Sequence, residues 1–387
     1  MSPPPKAPRH AAATPPSVLR RIPAGIWALG LVSMLMDTSS EMIHALLPVY
    51  LVGALGASAL AVGVIEGIAE STAAITKVFS GALSDWLGRR KLLVAIGYGL
   101  AACTKPIFPL ASTLDWVVAA RFVDRVGKGI RGAPRDALIA DLAPAQLRGA
   151  AFGLRQSLDT TGAFLGPALA IALMWLTVDN IPLVFWFAVL PGFTAFALVV
   201  FGVHDASGSR ENKPARSPLS RAELARLPAL YWGVVAIAAV FTLARFSEAF
   251  LVLRAQELGL GLVLIPLVLV VLNVVYALSS YPVGVLADRF DHGSLLALGV
   301  LVLMLADLAL AFVGGLAGLA LGVALWGLHM GMTQGLLAAM VADAAPADLR
   351  GTAYGMFNLV GGLALLAASV VAGGLWDAFG SRATFLA

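Results

Sequence analysis

The chain has 387 residues, of which 59% are hydrophobic and 12% are charged, and its mean hydropathy is +0.89. Soluble domains carry about 25% charged residues, so the composition predicts an all-α integral membrane protein and excludes a soluble globular domain. The net charge is +4, but the basic residues lie in loops and inside apolar segments, which argues against nucleic-acid binding. The single cysteine, Cys103, excludes an internal disulfide and a cysteine metal cluster.

The chain begins with residues 1–23, which are rich in proline and alanine and lack the apolar core of a signal peptide. We expect them to form a disordered cytoplasmic tail. A run of about 20 apolar residues can cross a bilayer. The first half contains six such runs, at 24–51, 59–84, 91–112, 116–141, 148–175 and 181–203. Residues 24–203 are therefore predicted to form an N-terminal six-helix bundle.

Residues 204–228 are a long polar and basic segment, which we interpret as a cytoplasmic linker. Five more apolar runs follow it, at 229–256, 260–286, 294–313, 316–342 and 349–376. Residues 229–387 are thus predicted to form a C-terminal bundle of five helices plus the start of a sixth. We expect the twelfth helix to be missing because the chain is truncated. The basic residues of the loops fall on one side, which places the amino terminus and the linker in the cytoplasm.

The segment Gly81–Lys91, with the sequence GALSDWLGRRK, is predicted to be a short polar turn between the second and third spans. Its glycines permit a tight turn, its acid suits the positive end of a neighbouring helix, and its basic cluster marks the cytoplasmic side. The pattern resembles the signature loop between helices 2 and 3 of the major facilitator superfamily (MFS) of secondary transporters. A weaker copy, GVLADR, begins at Gly284. The candidate cytoplasmic gating residues are Gly81, Asp85, Gly88, Arg89, Arg90, Asp288 and Arg289.

An internal repeat supports the same architecture. The segment DLAPAQLRG, which begins at Asp141, recurs as DAAPADLRG from Asp343, 202 residues later. The two glycine-led loops, at Gly81 and Gly284, are 203 residues apart. Two markers with nearly the same offset predict two homologous halves that run in the same sense. This is the MFS fold of two parallel-repeat six-helix bundles, which places substrate near the membrane midplane between the halves.

The resemblance carries further expectations. In the family, the first, fourth, seventh and tenth helices line the cavity, and the third, sixth and ninth face lipid. Asp85 and Arg89 are expected to form a cytoplasmic latch between the halves. The segment Arg121–Gly129 resembles the fourth-helix motif, whose arginine is linked with proton transfer, although Arg125 replaces a small residue. The segment Gly162–Pro167 resembles the fifth-helix motif that is common in antiporters.

Ionisable side chains are numerous inside the predicted spans. Each costs at least about 2.5 kcal/mol at the bilayer centre, so their presence suggests function. Desolvation favours the neutral form of a carboxyl group and a nearby guanidinium favours the ionised form, which is a physical basis for proton coupling. The candidates for proton coupling are Asp37, Glu41, Glu70, Asp124 and Asp159. The candidates for substrate binding or charge pairing are His44, Glu66, Lys77, Arg121, Arg125, Lys128, Arg155, Arg245, Glu248, His329 and Gln334.

Counting along the spans places Asp37, Glu70 and Lys128 near the midplane, where we expect them to meet. Other interpretations remain open. Pairs such as Glu70 with Lys77, or Arg155 with Asp159, could only hold helices in register. Another possibility is a divalent-metal site formed by Asp37, Glu41 and His44. A third is the binding of an anionic solute by Arg121, Arg125 and Lys128.

These features favour proton-coupled export of a small solute by alternating access. The alternatives are a divalent-metal exporter and a proton-coupled importer of an organic anion. The chain has no phosphate-binding loop of the form GxxxxGK[ST] and no HExxH motif, so we expect neither an ATP-driven pump nor an enzyme. The expected partners are the solute, protons and the lipid bilayer, without a cofactor or nucleic acid. We expect a monomer in a bacterial inner membrane.

Overall fold

A computed structural model of the chain describes residues 22–87, 89–144, 147–204, 224–287, 290–346 and 349–387. The helices of the first half are α1 (Ala24–His44), α2 (Leu47–Gly53), α3 (Ala59–Leu87), α4 (Arg90–Thr104), α5 (Ile107–Leu110), α6 (Leu114–Leu142), α7 (Arg148–Leu176) and α8 (Ile181–Gly202). Those of the second half are α9 (Ala229–Leu243), α10 (Ala249–Glu257), α11 (Leu267–Ala287), α12 (His292–Phe312), α13 (Gly315–Ala344), α14 (Arg350–Phe379) and α15 (Ser381–Leu386). A 3₁₀ turn, Leu262–Leu264, precedes α11.

The helices follow the eleven predicted apolar runs. Within the described residues, eight helical segments are long and apolar enough to cross a membrane. Spans 1, 3 and 7 are each divided into two helices, α1 with α2, α4 with α5, and α9 with α10. Pro48 and Pro106 explain the first two breaks, because proline removes a backbone donor and clashes with the preceding turn. The third break, between Leu243 and Ala249, contains no proline.

The two halves repeat one packing pattern. In the first half, α1 packs against α7 and α8, and α6 packs against α3 and α4. In the second half, α13 packs against α11 and α12, and α9 packs against α14. Between the halves, α3 lies along α14, and α7 contacts α11. The molecule is therefore an all-helical, two-bundle membrane fold.

The two ends of the bundle are packed differently. We call the end that carries Leu142, Val203 and Leu227 the linker face, and the end that carries Gly53 and Phe379 the far face. The largest apolar core lies toward the far face and is continuous across both halves. The cores toward the linker face each belong to one half. The halves are thus joined at the far face and separate toward the linker face.

Backbone contact between α3 and α14 closes the far face. A Cβ atom on Gly373 would lie 2.6 Å from the Cα of Leu60, so only glycine allows this approach. The carboxylate of Asp377, at the end of α14, accepts hydrogen bonds from the backbone N–H groups of Ala59 and Leu60, at 2.9 and 3.0 Å. The first N–H groups of a helix have no partner within that helix. An acid of the second half therefore caps a helix of the first half.

The predicted turn at Gly81–Lys91 differs from the structure. Helix α3 continues to Leu87, so Gly81 and the backbone of Asp85 belong to its last two turns. The next helix, α4, begins at Arg90. The side chain of Asp85, and the whole of Gly88, Asp288 and Arg289, lie outside the described residues. The latch predicted between the halves at this face stays a prediction.

Candidate functional site

A buried chain of charges crosses the first half near the middle of the bundle. Arg121 on α6 donates a hydrogen bond from Nη2 to Glu66 Oε2 on α3 at 2.6 Å, and both side chains are almost fully buried. His44, at the end of α1, lies 3.2 Å from Glu41 Oε2 and 3.5 Å from Glu66 Oε2. Its ring thus bridges two carboxylates. The ion pair of Glu66 with Arg121 links spans 2 and 4.

A second group of charges lies beside the first. Arg125 pairs with Glu70 across spans 4 and 2, with Nη1 and Oε1 at 2.9 Å. Lys105 Nζ donates to Asp124 Oδ1 and to Ser40 Oγ, both at 2.9 Å. The helical spacing had suggested that Glu70 pairs with Lys77. In the structure Glu70 pairs with Arg125 instead. Lys105 is 1% exposed, so it points into the bundle although it belongs to a span expected to face lipid.

A third group lies where α1 meets α7. Asp37 and Asp159 are neighbours across these two helices, and their carboxyl groups interact electrostatically. Asp159 also accepts from Arg155 Nη2 at 2.8 Å and lies 3.8 Å from Arg135 Nη1. A Cβ atom added to Gly162 would lie only 3.1 Å from the Cβ of Asp37, so the glycine allows the two helices to approach closely. Two acids thus adjoin in a basic environment.

Lys128 lies between these groups. Its charge acts on Asp37 and on Glu70, but it makes no ion pair within the described part of the chain. Lys128 is therefore near both acids, and the meeting of Asp37, Glu70 and Lys128 at one point stays a prediction. Glu70 is held by Arg125, whereas Lys128 is exposed.

A cavity of about 420 Å³ separates the two halves. Glu70 lines it from the first half, and Arg245, His329 and Gln334 line it from the second. His329 donates from Nδ1 to the carbonyl oxygen of Gly299 at 2.8 Å and stacks on Phe241, so Nε2 is the ring nitrogen left for another partner. Gln334 Oε1 accepts from Tyr276 Oη at 3.3 Å. His329 and Gln334 thus both belong to the cavity wall.

The proposed metal ligands do not come together. Asp37 faces Asp159, whereas His44 contacts Glu41 and Glu66. The residues that the structure describes include no group of three His, Cys, Asp or Glu side chains placed to hold a metal ion. Helical spacing places residues on one face, but it does not set the distances between their side-chain atoms.

Some residues at these sites were missed by the sequence reasoning. Asp377 lies at the end of an apolar span and belongs to none of the motifs named above, and only its contact with α3 shows its role. Phe241 and Asn358 line the cavity but carry no charge that would mark them within an apolar run. Their signal is weak, because aromatic and amide side chains are common at helix–helix contacts.

Comparison with known proteins agrees with this architecture. The family model of the Major Facilitator Superfamily matches residues 29–369. The MFS-type transporter MJ1317 of Methanocaldococcus jannaschii is 34% identical over 363 residues, which cover 92% of this chain and 89% of the relative. The quinolone resistance protein NorA of Staphylococcus aureus strain MRSA252 is 27% identical over 197 residues, 51% of this chain and 48% of NorA.

Solved structures show the same fold. A bacterial homolog of the human lysosomal transporter Spinster, in an inward-facing and unoccupied conformation, gives a TM-score of 0.72 at 15% identity and covers 95% of this chain and 84% of that chain. At this identity the likeness supports the fold alone. The family model and the relative MJ1317 both span most of the sequence. The chain is therefore a multi-pass membrane protein that belongs to the Major Facilitator Superfamily of transporters.

Proposed function

We propose that the protein exports a small solute by proton-coupled alternating access. The observation that carries this proposal is the facing pair of carboxyl groups, Asp37 and Asp159, where spans 1 and 5 meet. Isolated charges are expensive inside a membrane and mark transport pathways by default. Most other acids in this region are held by a cation, as Glu66 is by Arg121 and Glu70 by Arg125.

The Asp37–Asp159 pair suits a coupled proton. Two adjoining carboxylates repel each other unless a proton is shared between them. Asp159 has ion-pair partners in Arg155 and Arg135, whereas Asp37 has none within the described residues. Asp37 is therefore the group that we assign to carry the proton. Lys128 is close by and exposed, and its positive charge would interact with the carboxylate that forms when Asp37 releases the proton.

The packing supports an alternating mechanism. The core is continuous across the halves at the far face and divided toward the linker face. Basic loops mark the cytoplasmic side of a membrane protein, so the cavity between the halves faces the cytoplasm in this conformation. Transport requires the opposite state, in which contacts such as Asp377 with the start of α3 are broken. Rocking of two repeats about a central site achieves this exchange.

Several further assignments belong to this proposal. The gradient of protons supplies the energy, without a cofactor. The protein acts as a monomer in the inner membrane of a bacterium, with its amino terminus in the cytoplasm. Export is favoured because NorA, a quinolone resistance protein, is among the relatives. The anion-import alternative loses two of its proposed ligands, because Arg121 and Arg125 are paired with Glu66 and Glu70.

Reconstitution tests the proposal directly. The full chain in proteoliposomes is offered a panel of cationic drugs, organic anions and divalent metals, with and without a pH gradient. We expect saturable flux of one class that rises several-fold when the gradient is imposed and that causes proton counterflow. Flux that is the same with and without the gradient for every transported compound would contradict proton coupling.

Replacing Asp377 with asparagine is expected to favour opening of the far face. The substitution removes one of two carboxylate bonds to the N-terminus of α3 and the charge that complements its dipole. If the closed far face loses about 1–2 kcal/mol of stabilisation, the ratio of open to closed molecules changes about 5- to 30-fold. Spin labels at Thr113→Cys and Gly314→Cys, in a Cys103→Ser background, would report the change as a larger share of long distances between the halves.

Asp291 provides the matched control for this experiment. Its carboxylate caps α12 by accepting from the backbone N–H of Ser294 at 3.0 Å, entirely within the second half. Asp291→Asn therefore removes a similar cap without loosening the contact between the halves. Equal distance distributions in the Asp377→Asn variant and the parent would show that this cap does not hold the far face closed.

A further inference from the structure

The wall of the cavity between the halves contains one arginine, Arg245, that forms no ion pair among the described residues. Arg245 lies in the break between α9 and α10 and lines the cavity. Its Nη1 atom is buried and has no hydrogen-bond partner among the described residues. Glu248, Tyr276 and Glu70 are its electrostatic neighbours, but none of them forms an ion pair or hydrogen bond with it in the part of the chain described.

The remaining charge of the cavity wall is already neutralised. Glu70 lines the cavity from the first half, and Arg125 holds its carboxylate at 2.9 Å. His329 donates a hydrogen bond from Nδ1 to the carbonyl oxygen of Gly299. The cavity wall therefore offers an entering solute one cationic group that is held in no ion pair among the described residues, which is the guanidinium of Arg245.

The rest of the wall indicates the size and polarity of the solute. The cavity volume of about 420 Å³ is within the range of about 300–1,000 Å³ that is typical of sites for small organic molecules. A bare inorganic ion would leave most of it empty. Phe241, Phe357 and Leu365 supply apolar surface, and Gln334 and Asn358 supply amides. These walls suit an organic molecule with an apolar body.

We propose that the transported solute is an amphipathic organic monoanion whose anionic group binds Arg245 and whose apolar body lies against Phe241 and Phe357. A guanidinium binds carboxylate, sulfonate or phosphate oxygens through two parallel N–H donors. The break in span 7 places the Arg245 side chain in the cavity wall. This inference rests on the proposed function, because it takes the cavity to be the transport site.

Binding of three matched probes to the purified full chain tests the proposal. They are naphthalene-2-sulfonate, its neutral sulfonamide, and the 2-naphthylmethylammonium cation, measured by equilibrium dialysis in one detergent. We expect the sulfonate to bind about 10- to 150-fold more tightly than the sulfonamide, because a hydrogen bond between charged groups changes the affinity by a factor of this size. The cation should bind least. Equal binding of the three, or no saturable binding of the sulfonate, would overturn the proposal.

Variants localise the effect. Arg245→Gln is expected to abolish the preference for the sulfonate, and Arg245→Lys to retain a weaker one. Arg254→Gln is the matched control, because Arg254 is in the same span but its donors are occupied by Leu310, Glu257 and Ser381 at the far face. An unaltered elution volume in gel filtration shows that each variant is folded. A preference that survives in Arg245→Gln would contradict the assignment.

The two proposals fail separately. Selective binding of the sulfonate without pH-driven flux would contradict proton coupling and leave the solute class standing. Conversely, pH-driven flux of cationic compounds, with no preference for the sulfonate in the binding assay, would support proton-coupled transport and overturn the anion assignment.

Discussion

Asp37→Asn is expected to abolish pH-driven transport while the protein still inserts and folds. Asparagine is nearly isosteric with aspartate but cannot take up and release a proton. Asp37 faces Asp159 and has no ion-pair partner of its own among the described residues, so the substitution leaves no buried cation uncompensated. In proteoliposomes we expect flux to become insensitive to the pH gradient, with a loss of about 100-fold or more, which is the scale of a lost proton-transfer group.

Asp307 is the matched control. It also lies inside a span, on α12, and its Oδ1 atom has no hydrogen-bond partner in the described chain, but unlike Asp37 it has no second carboxyl group beside it there. Asp307→Asn should therefore leave the response to the gradient unchanged. If transport by the Asp37→Asn variant still depended on the pH gradient, Asp37 would have no part in proton coupling. If Asp159→Asn alone lost the response, the proton would belong to the other member of the pair.

The architecture could be predicted from the sequence because its signals are strong and local. Apolar runs of membrane length mark each span. The repeated segments at Asp141 and Asp343 relate the two halves. The charged faces of spans 1, 2 and 4 follow from helical periodicity, and the charge of Lys128 acts on both Asp37 and Glu70.

Partner choice could not be predicted in the same way. Periodicity places Glu70 and Lys77 on one face of the same helix. In the structure, however, Glu70 forms its ion pair with Arg125 of another helix, at 2.9 Å. The break that exposes Arg245 lies between Leu243 and Ala249 without a proline to mark it. Asp377 acts through the backbone of a helix that is distant in sequence. The Glu70 ion pair, the break at Arg245 and the cap by Asp377 each depend on how the helices pack against one another. The local sequence pattern of a single helix does not contain that information.

Glu66→Gln is expected to be the most destabilising substitution in the polar interior. Glu66 and Arg121 have side chains that are 2% and 3% exposed, and they meet at 2.6 Å. Glutamine keeps an acceptor but leaves the guanidinium of Arg121 buried without a counter-charge. Removing one partner of a buried ion pair costs about 3–5 kcal/mol. Unfolding in mixed SDS micelles, followed by the fluorescence of the eight tryptophans, should show a loss of this size.

A double variant separates structural pairing from a role in transport. Glu66→Gln combined with Arg121→Gln removes both charges, so the free energy of unfolding should recover part of what the single change lost. Glu257→Gln is the matched control: its carboxylate is 46% exposed and pairs with Arg254 at 2.8 Å, and such a pair contributes less than about 1 kcal/mol. If the double variant regains stability and transport together, the pair only holds spans 2 and 4 in place. If it regains stability but remains inactive, Arg121 or Glu66 takes part in transport itself. A single Glu66→Gln change that costs no more than Glu257→Gln would show that the pair does not stabilise the bundle.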